Sequence, residues 1–199
     1  VTSSAAEVIT RPAPSVVTNP SDVTACVNGN VTMSVSASGT SLTYQWYKGT
    51  APSGTLVSNG VSVSGANSSS LTINNVSSAD AGTYYVVVTG SCGTATSSAA
   101  TLTVNSPISI TSQPVGGTIC SSDSITLSVV ASGTGNTYQW YKNGSTVAST
   151  ASSIKVYGNA PGSYYVVISN SCGSVTSSAA EVITRPAPSV VTNPSDVTA

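Results

Sequence analysis

The chain contains short segments in which hydrophobic and polar residues alternate. Val31, Met33 and Val35 alternate with Thr and Ser residues, and the same pattern returns at 125–129. An alternation with a period of two buries one face of a β-strand and leaves the other face in solvent. The pattern therefore predicts a strand in each of these two segments. It predicts further strands at Leu71–Ile73, Tyr84–Val88 and Leu102–Val104.

Turn-forming residues separate the alternating segments. Gly, Asn, Asp and Ser are the residues that most readily reverse the chain direction, and they cluster between the runs. Several short strands with this spacing indicate a β-sandwich. Helix formers such as Glu, Lys and Gln are scarce, so we expect an all-β fold without long helices. The main turn signals are Ser38-Gly39, Asn59-Gly60, Asp80–Gly82, Gly90-Ser91 and Asn143-Gly144.

The two ends of the chain have an identical sequence. Residues 175–199 are identical to residues 1–25, at an offset of 174 positions. Chance does not produce so many consecutive identities, so we expect the chain to be slightly more than one period of a longer repeating protein. Such an array suits a long stalk, in which each repeat contacts only its neighbours.

A weaker repeat lies inside the period. The segment 44–48 returns at 138–142, and the segment 82–87 returns in altered form at 162–167. The second copy has 14 residues fewer between its Trp and its paired Tyr residues. The chain therefore divides into two domains, the second one shortened. We place them at 11–104 and 105–184, with 1–10 as the last strand of a preceding domain and 185–199 as the start of the next.

The order of these motifs resembles the immunoglobulin superfamily. Trp46 and Trp140 stand where that family buries a Trp of its C strand, and Tyr84 and Tyr164 stand at its tyrosine corner. Asp80 completes the family's Asp-x-Gly-x-Tyr motif in the first copy only. The resemblance implies tandem immunoglobulin-like β-sandwich domains arranged head to tail, with these four aromatic residues in their cores.

The family's core cysteine pair is absent from both copies. Val35 and Val86 occupy its two positions in the first copy, and Val129 and Val166 occupy them in the second. The resemblance therefore implies that valine packing replaces the usual disulfide between the sheets. A nearer resemblance is to repeats of giant surface proteins of gliding or predatory Bacteroidetes. Their motifs occur here as Cys26–Gly29, Tyr44–Trp46, Gly82–Val86 and Cys92.

Four cysteines suggest disulfides in an oxidising compartment. In an immunoglobulin-like domain, Cys26 would precede strand B and Cys92 would lie in the F–G turn at the opposite end. At about 3.3 Å per residue these sites are tens of Å apart, whereas a disulfide needs Cα atoms within about 7 Å. We therefore favour Cys26 with Cys172 across the domain junction, with Cys92 and Cys120 bonded to the preceding and the following domain. The alternative, Cys26 with Cys92 and Cys120 with Cys172, stays open because it depends on the position of the first strand.

The charges of the chain exclude several kinds of function. There are five Lys and Arg, six Asp and Glu, no His, and a net charge of -1. No basic stripe exists to hold nucleic acid, and no apolar run reaches the roughly 20 residues of a membrane span. Without His, the usual general base for a Ser or Cys nucleophile is missing. The scattered acids and the missing Cys-x-x-Cys motif favour neither calcium nor zinc. We expect no enzymatic activity, cofactor or metal.

Aromatic residues next to the core positions are the remaining candidates for ligand contact. Tyr47, Tyr85, Tyr141 and Tyr165 alternate with residues predicted to be buried, so we expect them to lie on an outer sheet face. Tyr85 and Tyr165 are the candidate contacts for stacking on sugars. The alternative is that the Tyr residues pack on each other across neighbouring strands.

These observations together predict an extracellular, cell-surface attached structural protein. The resemblance implies a filament or adhesin stalk that serves surface attachment, gliding or prey capture. Its partners would be neighbouring repeats of the same chain and further copies bundled into a filament. The alternative is a repetitive glycan-binding module, in which many weak sites gain avidity.

Overall fold

The computed structural model describes residues 10–186 and 188–189. They form two compact units, and the division lies between Ser106 and Pro107. The segments expected to belong to neighbouring domains, 1–10 and 185–199, lie largely outside the described residues. Each unit is described by itself below.

Unit 1 consists of short strands and one 3-10 turn in its described residues, Ser78–Asp80. The strands are β1 (Ser15–Thr18), β2 (Val23–Cys26), β3 (Val31–Ser34), β4 (Ser36–Ser38), β5 (Thr43–Lys48), β6 (Thr55–Leu56), β7 (Val63–Ser64), β8 (Ser70–Ile73), β9 (Gly82–Gly90), β10 (Gly93–Thr96) and β11 (Ala100–Asn105).

The strands of unit 1 form two layers. The larger sheet has the order β2-β11-β9-β5-β6, and β10 also pairs with β9. β2 runs parallel to β11, whereas the other pairs in this sheet are antiparallel. The other layer contains β3-β8-β7 and, continuing along the chain from β3, the pair β4-β1. Val35 separates β3 from β4 because β3 pairs with β8 and β4 pairs with β1.

The core of unit 1 lies between the two layers. The alternation seen in the sequence is visible in β3, where Val31 and Met33 are buried and the Thr and Ser residues are exposed. Trp46 is fully buried, and its indole N–H donates to the carbonyl of Ser68 at 2.9 Å. Burying a ring of this size stabilises the fold only when the N–H keeps a partner, which this bond supplies.

Unit 2 repeats this arrangement with fewer elements. Its strands are β12 (Ser109–Ser112), β13 (Gly117–Cys120), β14 (Ser124–Ser128), β15 (Val130–Ser132), β16 (Thr137–Lys142), β17 (Ser145–Thr146), β18 (Ser153–Tyr157), β19 (Gly162–Asn170), β20 (Gly173–Thr176) and β21 (Ala180–Arg185). The larger sheet has the order β13-β21-β19-β16-β17, with β20 also on β19. The opposite layer contains the pairs β14-β18 and β12-β15.

The residues missing from the second copy explain the difference between the units. The described part of unit 2 has no counterpart of β7 or of the 3-10 turn. Val156 and Ile125 pair in unit 2 as Ile73 and Val31 pair in unit 1. The edge of β18 that corresponds to the β7 side of β8 is therefore unpaired within the described chain, and a groove of about 430 Å³ lies beside it.

The sequence pattern located the main core strands but missed others, including β2. The all-β fold agrees with the prediction, and β3, β8, β9 and β11 of unit 1 and β14 of unit 2 lie where the alternation placed strands. The parallel strand β2 was not predicted, and Cys26 belongs to it rather than to a turn before strand B. The reason is that Val23–Cys26 alternates only weakly and gains its strand partner from β11, far along the chain.

Candidate disulfide sites at the ends of the two units

The trailing end of unit 1, where the chain leaves β11, carries Cys26. Cys26 is the last residue of β2 and lies level with Asn105 in the parallel pair. The turn that follows is closed by two backbone bonds, from Val27 N–H to the carbonyl of Asn105 at 2.9 Å and from Gly29 N–H to the carbonyl of Cys26 at 2.8 Å. The register of two paired strands therefore holds this cysteine at the end of the unit.

The leading end of unit 1, opposite to the trailing end, carries Cys92. Cys92 is exposed in the turn between β9 and β10. β9 pairs with β11 from Gly82 to Tyr84 and then continues away from the trailing end as far as Gly90. At about 3.3 Å per residue, Cys26 and Cys92 are about 35 Å apart along the sheet. This separation exceeds by several fold the reach of a disulfide.

Unit 2 holds its cysteines in the same two places. Cys120 ends β13, lies level with Arg185 and begins a turn closed by a bond from Asp123 N–H to the carbonyl of Cys120 at 3.0 Å. Cys172 lies in the turn between β19 and β20, where its N–H donates to Oδ1 of Asn170 at 2.8 Å. Each unit therefore has one cysteine at its leading end and one at its trailing end.

The four cysteines differ in chemical state. Cys26 and Cys172 are disulfide-bonded, whereas Cys92 and Cys120 are exposed free thiols. The alternative pairing of Cys26 with Cys92 and of Cys120 with Cys172 is therefore not formed. The physical reason is the separation along each sheet, because each of those pairs would have to join opposite ends of one unit.

The candidate ligand contacts Tyr85 and Tyr165 each stack on a Tyr ring of the neighbouring strand. Tyr85 stacks on Tyr47 with ring centroids 5.3 Å apart, and Tyr165 stacks on Tyr141 at 5.0 Å. The expectation of an exposed ring is wrong for Tyr85, which is only 1% exposed. The loop between β5 and β6 covers it, and the Gly54 N–H donates to its hydroxyl at 3.1 Å.

Close packing explains why that loop needs a glycine. A Cβ at Gly54 would lie 2.7 Å from Cε1 of Tyr85, so a larger residue would push the loop off the ring. In unit 2, β16 and β17 are joined by the short turn Asn143-Gly144 instead. Tyr165 lacks such a cover and stays partly exposed.

The core candidates of the two units occupy matching positions. Trp46 pairs with Val86 across β5 and β9, and Trp140 pairs with Val166 across β16 and β19. The buried set consists of Trp46, Trp140, Tyr84, Tyr164, Val35, Val86, Val129 and Val166. Apolar side chains thus fill the space in which the family's usual disulfide would lie. The cysteines of each unit lie at its two ends instead.

The two corner tyrosines anchor the chain that precedes β9 and β19. Tyr84 donates its hydroxyl proton to the carbonyl of Asp80 at 2.7 Å, and Tyr164 donates to the carbonyl of Ala160 at the same distance. Burial, with the nearby Asp80 charge, raises the pKa of Tyr84 to about 12. Burial also raises the pKa of Tyr164. Both phenols are therefore neutral hydrogen-bond donors at ordinary pH.

Sequence reasoning missed two buried serines. Ser97 lies where the last strand of unit 1 is interrupted, and Ser177 lies at the same place in unit 2. Ser97 Oγ accepts from the Val86 N–H at 3.0 Å, and Ser177 Oγ accepts from the Val166 N–H at 3.0 Å. The only sequence signal is the repeated run Ser-Ser-Ala-Ala, which does not stand out in a chain so rich in Ser.

The described residues contain no cluster of three His, Cys, Asp or Glu side chains that could hold a metal ion. None of their helices has the length and hydropathy needed to cross a membrane. An open groove with a volume of about 850 Å³ lies at the trailing end of unit 2 beside Cys120, Asp123, Lys155, Tyr157 and Arg185.

Solved structures of tandem immunoglobulin domains are similar to this chain. An I-band fragment of titin has a TM-score of 0.71 at 16% identity, covering 90% of this chain and 67% of its own. Sidekick-1 immunoglobulin domains 1–4 give 0.73 at 19%, covering 88% and 49%. Extracellular domains 3–5 of Drosophila OTK give 0.64 at 20%, covering 86% and 62%. The chain thus spans about half to two thirds of these structures, and such identities establish the fold alone.

Two family profiles match the sequence itself. A profile described as an immunoglobulin domain matches residues 13–89, and one described as an Ig-like domain, CHU_C associated, matches residues 107–186. The two units are therefore immunoglobulin-like domains in tandem, which confirms the predicted fold class. A comparison with curated protein sequences finds no match.

Proposed function

We propose that this chain is a structural repeat of an extracellular filament or adhesin stalk. The observation that carries the proposal is the copy of residues 1–25 at 175–199, in a chain whose immunoglobulin-like units each hold one cysteine at either end. A copied sequence of rigid sandwiches produces length, because each added repeat contacts only its neighbours. Length is useful to a protein that must hold a distal tip away from a cell.

We also propose that Cys26 is bonded to Cys172 across the junction of the two domains. These are the two bonded cysteines, and Cys92 and Cys120 are free thiols. Cys26 lies at the trailing end of the first domain, and Cys172 lies at the leading end of the domain that follows it in the chain. A bond at this place would restrict bending at the junction and make the array stiff.

An oxidising location outside the cell is part of the proposal. Disulfides persist in secreted and surface proteins and are rare in the cytosol. The match of residues 107–186 to a Bacteroidetes-type immunoglobulin-like domain supports the resemblance to giant surface proteins of that group. Surface attachment, gliding or prey capture is the biological setting that this resemblance favours.

Lateral association of several chains would turn the stalk into a filament. The chain has few charges, so neighbouring copies repel each other weakly. The unpaired edge of β18 offers backbone N–H and C=O groups to a neighbour, although Lys155 in its middle disfavours indiscriminate pairing. Helical analysis of the native assembly by electron microscopy counts the chains and locates their contacts.

The alternative function is weak glycan binding by each domain. Of the two stacked Tyr pairs, the partly exposed Tyr141–Tyr165 pair of unit 2 is the more open to a sugar ring, because Tyr85 is covered. A glycan array on the chain and on its Tyr165→Ala variant tests this alternative. Hits that disappear in the variant would favour a binding module, and a blank array agrees with a stalk.

Electron microscopy and small-angle scattering test the stalk. We expect the native protein to form extended rods with an axial repeat of two domains. In the 199-residue chain, replacing Cys26 and Cys172 by Ser should broaden the distribution of interdomain distances. The matched control, Cys92 and Cys120 replaced by Ser, should leave that distribution unchanged. Closed, compact particles of the native protein would contradict the stalk, and equal distributions in the two variants would contradict the bond.

A further inference from the structure

We propose that Cys120 forms a disulfide with the Cys92 of the next period, so that consecutive periods are joined covalently as well as by the main chain. This inference rests on the proposed stalk and names the partner of its trailing end. The partner is the leading end of a further copy of unit 1, and the free thiols of this chain are the two halves of that junction.

The surroundings of Cys120 reproduce those of the bonded Cys26. Each cysteine ends a strand that runs parallel to the last strand of its unit, level with Asn105 in unit 1 and Arg185 in unit 2. The carbonyl of each cysteine accepts a hydrogen bond from the backbone N–H three residues later. Gly29 N–H donates to Cys26 at 2.8 Å, and Asp123 N–H donates to Cys120 at 3.0 Å. The two thiols are therefore presented by the same backbone geometry at the same end of the sandwich.

The surroundings of Cys92 likewise reproduce those of the bonded Cys172. Cys92 follows β9 by two residues, and Cys172 follows β19 by two residues. In both turns the next residue is a glycine with positive φ, Gly93 at 122° and Gly173 at 126°. The turn that presents Cys92 at the leading end of unit 1 therefore has the same form as the turn that presents Cys172 at the leading end of unit 2.

The sequence identifies which domain follows unit 2. Residues 185–199 are identical to 11–25, which lead into unit 1. The domain that begins there is therefore a unit of the first type, and the cysteine at its leading end corresponds to Cys92. Unit 1 followed by unit 2 uses Cys26 and Cys172, and unit 2 followed by unit 1 leaves Cys120 and Cys92 for the same bond.

The trailing end of unit 2 also has a surface that fits a small, uncharged turn. The groove of about 850 Å³ beside Cys120 is bordered by Tyr157, which is 55% exposed, and by Lys155, whose Nζ lies 5.4 Å from the Tyr157 ring centroid. The turn Gly90–Gly93 carries no charge and no bulky side chain that would prevent its entering this groove. Occupation of the groove would cover the exposed ring, which is favourable.

The bond requires an oxidant, and an oxidised dithiol protein or oxidised glutathione of the secretory compartment supplies it. The thiolate of one cysteine attacks the oxidant's disulfide and releases one of its thiols. The second cysteine then attacks the mixed disulfide and releases the other thiol. One protein disulfide forms, and the oxidant leaves with two electrons and two protons.

Peptide mapping of the native protein gives the first test. Non-reduced protein is alkylated and cut by a protease that cleaves after Leu102, which separates Cys92 from Cys120. We expect a Cys92–Cys120 linked peptide in addition to a Cys26–Cys172 peptide, and no alkylated Cys92 or Cys120 from interior repeats. Extended rods with fully alkylated Cys92 and Cys120 would overturn this inference and leave the stalk standing. Compact particles would overturn the stalk itself.

Oxidation of the 199-residue chain gives the second test. An equal mixture of nitrogen-15 labelled and unlabelled chain is treated with oxidised glutathione. We expect linear multimers whose Cys92–Cys120 peptides are half of mixed isotopic composition, since the bond joins different molecules. Because only this link covers the exposed Tyr157 ring, it should be favoured about tenfold over Cys92–Cys92 and Cys120–Cys120 links. A purely random pairing of thiols, or a link within one molecule, would overturn the inference.

Single-site variants show which cysteine links each end of the chain to the next molecule. Cys92→Ser or Cys120→Ser alone should stop growth, and a mixture of the two variants should give dimers only. Tyr157→Ser should lower the preference for the Cys92–Cys120 link, whereas Leu56→Ser, which removes a similarly exposed side chain in unit 1, should leave it unchanged. An unchanged preference in Tyr157→Ser would separate the groove from the bond and remove the groove from the proposal.

Discussion

At the scale of single residues, one motif performs two separate tasks. In unit 1 the carbonyl of Asp80 accepts the bond from Tyr84, while its carboxylate accepts bonds from the N–H and the hydroxyl of Ser77, both at 2.8 Å. Unit 2 has Ala160 in place of Asp80, and its carbonyl still accepts the bond from Tyr164. The hydrogen bond of the corner therefore needs only the backbone carbonyl and the Tyr hydroxyl, whereas the Asp80 carboxylate bonds to the turn before it.

Replacing Tyr84 by Phe should reveal this corner in the pH dependence of stability. The pKa of Tyr84 is about 12 in the folded chain and about 10 in the unfolded one. The folded state holds the proton more tightly, so this stabilisation is complete below pH 10 and is lost as the pH rises towards 12. We expect Tyr84→Phe to cost about 1 kcal/mol at pH 7 and to lose less stability than the wild type above pH 10.

Denaturant unfolding from pH 7 to pH 12 measures this difference, in a Trp140→Phe background so that Trp46 alone reports on unit 1. Tyr157→Phe is the control, because that ring is exposed and lies in unit 2. Parallel pH curves for the wild type and Tyr84→Phe would contradict the assignment of the shift to this corner.

At the scale of elements, the hydrogen-bond ladder along the final strand of each unit is interrupted, and a serine side chain supplies the missing acceptor. β10 and β11 both pair with β9, and the chain bulges between them. At the break, Ser97 N–H donates to the carbonyl of Val86 at 3.0 Å, and Ser97 Oγ accepts from the Val86 N–H. A hydroxyl thus stands in for the backbone carbonyl that a regular ladder would offer.

Replacing Ser97 by Ala should therefore destabilise unit 1 by about 1–3 kcal/mol, because a buried backbone N–H loses its partner. Chemical denaturation with Trp46 fluorescence measures the loss. Ser98→Ala is the matched control, since Ser98 is exposed and takes part only through its backbone. Equal midpoints for the two variants would show that water or a shifted strand replaces the hydroxyl.

At the scale of the whole molecule, the chain has two separate hydrophobic cores. One is built around Trp46 and Tyr84, and the other around Trp140 and Tyr164. The described core residues of each cluster come from a single unit. Each unit therefore has a hydrophobic core of its own.

Trp46→Ala should unfold unit 1 alone. Removing a fully buried Trp costs about 3–5 kcal/mol, which is a large part of the stability of a small domain. Trp140 fluorescence should keep its wild-type unfolding midpoint in this variant. Trp140→Ala provides the mirror experiment, in which Trp46 reports an unchanged unit 1. A fall of both midpoints in either variant would show that the two domains unfold as one.

Much of the fold and part of the candidate site could be predicted from the sequence. Alternation located β3, β8, β9 and β11 because each of these strands buries one face, and this requirement shows in the local sequence. Trp46 and Tyr84 were identified through the resemblance to the immunoglobulin superfamily, which has a buried Trp and a corner Tyr at these positions. Ser97 and the β2 strand were not, because their partners lie far along the chain.

The amino-acid sequence alone determined that this protein is all-β and that residues 1–25 recur at 175–199, since alternation and repetition are properties of the chain itself. Tertiary structure alone decided that Tyr85 is covered by the loop at Gly54 and that Cys26 ends a strand parallel to β11. These outcomes depend on contacts between segments that are separated by most of a domain in the sequence. A local sequence pattern does not reveal such contacts.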